Sequence, residues 1–401
     1  MISLKVIRRI FCSFLIITCL VVPKSFIFAE EITTATINVE AKSYVLIEAS
    51  TGKIICEKQK DKELMPASIT KIMTLILIFE AVDQGKIKME DTVTVSEHAA
   101  SMGGSQVYLE AGETQTVETM VKCISVSSAN DACVAMAEHI SGSEEAFVEK
   151  MNEKAAQLGM KHSHFMNCCG LDDNLTEGQH YSSAYDIALM SRELITKHEK
   201  IKDFSIIWMD TITHVTRKGE SEFGLTNTNK LVRTYQGITG LKTGSTSKAK
   251  YCLSATAERN GLELIAVVMA APQPNTRFTD AASLLDYGFA NCTVYKDDNS
   301  NLMDQRVKVE KGKKEFTLVA PAKSFSYLCT NGESVQEIDK KYEWKQNVHA
   351  PVNKGDVLGE IIYYYGEKEI GKVDIVSMRE IKKAGYLDYL RKCKNSFLVL
   401  R

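Results

Sequence analysis

Apolar residues crowd the stretch 66–82 on every side of a helical repeat, and after Pro66 neither Gly nor Pro interrupts them. Proline suits the first turn of a helix, where its missing N–H costs nothing, and a helix apolar all round is a buried one. Ahead of it, apolar runs at 33–39 and 43–48, turn residues at 49–53 and a third run at 54–56 predict two strands and a hairpin leading into that helix. Beyond it, a short strand is expected at 92–95 and a Gly-rich loop at 102–105. Helical periodicity covers 116–124, breaks at 125–130, resumes over 131–140, and returns at 144–158, 184–198 and 280–289. Strand patterns fill 204–216, 251–257 and 262–269, the last two joined by the hairpin turn Arg259-Asn260-Gly261.

After 292 the pattern changes. A polar linker, 297–301, precedes a region to Ser377 in which short β runs alternate with Lys-Gly and Asn-Gly turns. The expected fold class is therefore α/β of the α+β kind. A mainly antiparallel sheet covered by helices occupies 30–292, an all-β domain 298–377, and a basic tail 379–401. The tail carries seven Lys or Arg interleaved with Tyr386, Leu387, Tyr389 and Leu390, a composition suited to a helix lying on an anionic membrane surface.

With 401 residues, 44% of them apolar, the chain has material for a large core, and a net charge of −2 gives no whole-chain reason to expect nucleic acid. Lys5, Arg8 and Arg9 precede an uncharged apolar run at 10–22, and Ala29 offers a small residue before Glu30. Such a run is short for a membrane span, so 1–29 reads as a cleaved secretory signal and the protein as exported. Of 11 cysteines two fall in that leader, leaving an odd nine without regular spacing. They read mostly as free buried thiols, and no metal is expected, since neither Cys-x-x-Cys nor His-Glu-x-x-His occurs.

Within the buried helix Ser68 and Lys71 share one face of the first turn. A buried lysine needs polar partners, and a hydroxyl beside an amine makes a nucleophile with its base, at the positive end of a helix. An ordinary helix start with a serine cap is the other explanation, and Ser247 to Lys250 shows the same spacing without a following apolar helix. The break at Ser128-Ala129-Asn130 either caps the second helix or projects polar side chains into a cleft. The third signal, Lys242-Thr243-Gly244, falls on an edge or approach strand, beside a glycine that lets a ligand come close.

Ser-x-x-Lys, Ser-x-Asn and Lys-Thr-Gly in this order are a set found in penicillin-binding proteins and class A β-lactamases. With Pro66 to Thr74, Ser128 to Ala132, Gly240 to Gly244 and Leu284-Leu285-Asp286-Tyr287-Gly288-Phe289, nearly the whole mature chain resembles the low-molecular-mass penicillin-binding D-alanyl-D-alanine carboxypeptidases. The resemblance implies a β-lactamase/transpeptidase-like domain, no cofactor, β-lactam acylation, and peptidoglycan stem peptides ending in D-Ala-D-Ala as substrate. It also implies a tail that holds the enzyme to the outer face of the cytoplasmic membrane.

By motif, Ser68 is the expected nucleophile, Lys71 its base, Ser128 a proton shuttle, and Asn130 a holder of the substrate amide. Lys242 and Thr243 of the Lys242-Thr243-Gly244 motif are expected to take the terminal carboxylate with Arg277, while the N–H groups of Ser68 and Ser245 form an oxyanion hole. Two departures stand out: Lys250 where the family often has Gly, and Cys168-Cys169 where it usually has Pro-His before Gly-Leu. Other readings stay open, a wall-binding sensor with little turnover or a β-lactamase, though Glu177 stands in the wrong order for the latter's glutamate.

Overall fold

The computed structural model describes residues 37–399 except 174, 177, 303, 304 and 331. The expected leader, residues 33–36 of the first expected strand, and Glu177 lie outside the described residues.

Five strands, Ile54–Lys58, Ser43–Glu48, Leu262–Ala271, Lys250–Arg259 and Ile238–Thr246, lie side by side in that order, each neighbouring pair antiparallel. Strand side chains alternate between faces. Thus Ile265, Val267 and Met269 join one core with the helices Lys71–Asp83, Val117–Val126, Asn130–Ser141 and Ala184–Lys197. Leu264, Ala266 and Val268 point the other way, onto Phe278, Leu284 and Leu285 of the helix Thr276–Asn291. The expected hairpin at Asn260-Gly261 is present, both residues at positive φ (52° and 78°), as a two-residue turn requires. Burial of every residue from Lys71 to Phe79 bears out the all-round apolar helix.

Three expectations need correction, besides the strand expected from 204, which starts at Met209 after the helix Ile201–Ser205. Ile37 to Val39 form no strand; Ile37 and Val39 pack on the core beside Thr276–Asn291, and the next turn is tied down where the Ala41 N–H donates to the Asp280 carboxylate at 2.9 Å. The segment 297–301 is not a free polar linker. Cys292–Asp297 is a strand paired with Phe325–Thr330, Asp297 accepts from Lys340 Nζ at 2.6 Å, and Asn299 Nδ2 donates to the buried Tyr363 hydroxyl at 2.6 Å. Polar residues there are used for anchoring, which their composition does not distinguish from solvation.

The tail does not begin at 379 either. Buried Ile381 exchanges backbone hydrogen bonds with Val352 at 2.8 and 3.0 Å, so the helix of the tail is Tyr386–Val399. Between Cys292 and that helix lies the expected all-β region, a five-stranded sheet in the order Arg306–Lys308, Phe316–Pro321, Lys368–Ser377, Val357–Tyr365, Ile338–Trp344. No helix among the described residues is long and apolar enough to cross a membrane.

Candidate active site

Ser68 sits in a tight 3-10 turn, Ala67–Thr70, that runs directly into the α-helix Lys71–Asp83. No side chain caps this turn, so the ordinary serine-cap explanation fails. Lys71 is fully buried, and its ammonium donates to Ser68 Oγ at 3.0 Å, Asn130 Oδ1 at 2.6 Å and the Cys169 carbonyl at 2.8 Å. Three donors with three acceptors is full satisfaction, which is what makes a buried lysine tolerable.

The cap explanation fails for the second motif as well. Ala129 holds the cap position of Asn130–Ser141 and makes no side-chain bond, while Asn130 directs its Oδ1 to Lys71 and its Nδ2 to the Gly103 carbonyl at 2.7 Å. Ser128 is buried at φ 62° and among the described residues its hydroxyl has no partner. A strained residue with an idle buried hydroxyl is held for something other than packing. The neighbouring Asp131 accepts from the Val107, Leu109 and Ala132 N–H groups at 2.9–3.1 Å, fastening the loop beyond Gly103 to this helix.

Ile238–Thr246, the third carrier, is the edge strand of the sheet. A Cβ on Gly244 would stand 2.8 Å from the Pro66 carbonyl and 2.9 Å from the Ile69 N–H, so only glycine lets the strand lie against the Ser68 turn. Lys242 is buried, donates to the Thr243 carbonyl at 3.1 Å, and is held well below the usual lysine range, first by burial and then by the positive charge of Lys71. Thr243 donates to Thr228 Oγ1 at 2.7 Å. Arg277, from the first turn of Thr276–Asn291, donates to the Gly244 carbonyl at 3.1 Å and lies 4.8 Å over the Phe278 ring. Among the described residues its buried Nε has no partner. Ser245, just past Gly244, is exposed.

Ser68, Lys71 and Asn130 are thus joined by hydrogen bonds, Gly244 abuts the Ser68 turn, Arg277 reaches the same strand, and Ser128 waits unpaired two residues before Asn130. Three supports were not foreseen. The Cys169 carbonyl is the third acceptor of Lys71. A Cβ on Gly170 would fall 1.9 Å from the Ala67 carbonyl, so the chain after the two cysteines must be glycine. His180 is buried, with Nε2 at 2.9 Å from Thr70 Oγ1 and Nδ1 accepting from the Met166 N–H at 3.2 Å. Since Nδ1 is an acceptor, Nε2 carries the proton and donates to Thr70. Burial pushes this imidazole down to about 4, which keeps it neutral. Only Gly170 gave a signal in the sequence; a main-chain carbonyl and a distant histidine gave none.

Lys250 adopts φ 59°, a left-handed conformation that glycine takes without strain, so a lysine at this position is held under strain. Among the described residues all nine cysteines are free; Cys56 is half-buried, Cys393 exposed and the others buried, as expected for most of them.

Residues 30–273 match the family described as D-alanyl-D-alanine carboxypeptidase, and 289–383 that described as penicillin-binding protein 5, C-terminal domain. The chain is 44% identical over 370 residues to the D-alanyl-D-alanine carboxypeptidase DacF of Bacillus subtilis, covering 92% of this chain and 93% of that protein. It is 31% identical to DacC of Escherichia coli, over 90% of this chain and 88% of the relative. Among solved structures, penicillin-binding protein 5 of Haemophilus influenzae superposes with a TM-score of 0.71 at 31% identity, covering 86% of this chain and 98% of the other. Because the first match contains all three motifs and more than half of the residues, the chain belongs to the D-alanyl-D-alanine carboxypeptidase family of serine peptidases.

Proposed function

We propose that this enzyme removes the terminal D-alanine from peptidoglycan stem pentapeptides through an acyl-enzyme on Ser68. The observation that carries the reading is the Lys71 ammonium, buried and bonded at once to Ser68 Oγ and Asn130 Oδ1. Lys71 first gives up one proton to solvent, and the neutral amine then takes the proton of Ser68 Oγ as that oxygen attacks the D-Ala-D-Ala carbonyl. The N–H groups of Ser68 and Ser245 receive the oxyanion, each such donor being worth about 3 kcal/mol. Lys71 passes that proton to Ser128, which hands its own to the departing amine as the C–N bond breaks, and water then cleaves the ester and restores the Ser68 hydroxyl. Asn130 steadies the substrate amide, while Lys242, Thr243 and Arg277 hold the leaving carboxylate beside Gly244.

A β-lactam presents a strained amide and a carboxylate to the same groups and acylates Ser68. The enzyme acts outside the cytoplasm, with the helix Tyr386–Val399 lying on an anionic membrane surface; Tyr386, Leu387 and Leu390 are exposed on it. Fluorescent penicillin labelling with a D-alanine release assay tests the reading. The wild-type protein is expected to take the label and release D-alanine, and Ser68→Ala to do neither. Labelling that survives Ser68→Ala would remove Ser68 as nucleophile, and labelling without D-alanine release would favour a sensor.

A further inference from the structure

We infer that the cavity beyond Ser245 is a subsite for a carboxylate carried by the acyl part of the donor peptide, an inference that rests on the reading of the site given above. A cavity of about 630 Å³ opens where the edge strand Ile238–Thr246 turns back into Lys250–Arg259. Among the described residues its wall carries four lysines, Lys42, Lys62, Lys248 and Lys250, and one acid, Glu63. That acid is already engaged by His162 Nδ1 at 3.2 Å. Lys248 is spent on the main-chain carbonyls of Asp172 and Leu175, at 3.2 and 2.8 Å, and the Asp172 carboxylate is turned to the Thr246 hydroxyl. Lys42, Lys62 and Lys250 are exposed, and among the described residues no carboxylate lies within ion-pair distance of any of them.

Direction ties this basic cavity to the chemistry. With the leaving carboxylate at Lys242 and Thr243 and the scissile carbonyl at Ser245, a substrate laid along the sheet edge continues past Thr246 toward Lys250. The acyl chain therefore runs toward the lysines. Lys250 supplies a separate reason: it holds a long cationic side chain at φ 59°, where glycine would sit without strain, and residues kept in such conformations cluster at ligand sites. A peptide with an acidic side chain before D-Ala-D-Ala offers a charge that no described residue gives these three lysines.

The test compares two N-acylated tripeptides ending in D-Ala-D-Ala, one with a glutamate side chain at the preceding residue and one with glutamine. At low salt the wild-type kcat/KM is expected to favour the carboxylate peptide about tenfold, the sum of three weak exposed pairs, and to lose that preference as salt screens it. Replacing Lys42, Lys62 and Lys250 together by Gln should bring the two peptides level, replacing them by Arg should retain the preference, and both variants should acylate with fluorescent penicillin at the wild-type rate. Equal rates on the two peptides in the wild type, or a preference that survives the Gln variant, would overturn the subsite. Failure of the wild type to acylate at all would overturn the reading beneath it instead.

Discussion

Lys71 and Asn130, 59 positions apart in the chain, are joined by a 2.6 Å hydrogen bond from Nζ to Oδ1. The amine of the first motif is thereby aimed by the amide of the second, and Asn130 is itself held by the Gly103 carbonyl. On the proposed mechanism catalysis needs this geometry more than folding does, since Lys71 keeps two other acceptors when Asn130 is removed.

Asn130→Ala should slow acylation by a fluorescent penicillin about 100-fold, the size of a displaced general base. Loss of a bond to a charged group should cost about 2 kcal/mol in a denaturant titration. Acylation at the wild-type rate would show that Lys71 needs no aim from this side chain.

Burial and the nearby Lys71 hold Lys242 well below the usual lysine range, so its charge is present at low pH and disappears as pH rises through that lowered value. On this basis kcat/KM for D-Ala-D-Ala peptides falls on the alkaline side well before the ordinary 10.5 of lysine. A Lys242→Arg variant stays charged and should carry that limb to higher pH, at a lower maximum. A limb that Lys242→Arg leaves in place belongs to another group.

His180 titrates at about 4 when folded against 6.5 for an ordinary histidine. Between those values the unfolded chain binds a proton that the folded chain refuses, so stability falls as pH drops from 6.5 to about 4 and this contribution ceases to change below it. The full window is worth about 3 kcal/mol. Urea titrations at steps through it should show a shallower pH slope for His180→Gln, and an unaltered slope would assign the acid sensitivity elsewhere.

Truncation before Tyr386 should release the protein from anionic vesicles with its Tm unchanged, because the helix Tyr386–Val399 begins after the last strand contacts. Removing Ile381 as well takes out a buried side chain and its pairing with Val352, and should lower the Tm. Equal vesicle binding with and without the helix would leave the tail no membrane role.

Local pattern carried most of the architecture. The all-round apolar helix after Ser68, the Asn260-Gly261 hairpin and the β-rich region after Cys292 were legible because period and turn chemistry act over a few residues. The order of the three motifs was legible for the same reason. Pattern failed at 297–301 and at 379–385, where polar and basic segments look alike whether they face water or tie down a fold.

The sequence by itself named the residues proposed to react, two serines, two lysines and an asparagine, each in a motif whose neighbouring element could be read. Tertiary structure alone decided that Ser128 and Asn130 are not caps, that a Cys169 carbonyl completes the shell of Lys71, and that Gly244 admits the edge strand against Ser68. Those facts depend on contacts between segments far apart in the chain. Burial, which sets the charge of Lys242 and of His180, is a property of the whole packed molecule and of no stretch within it.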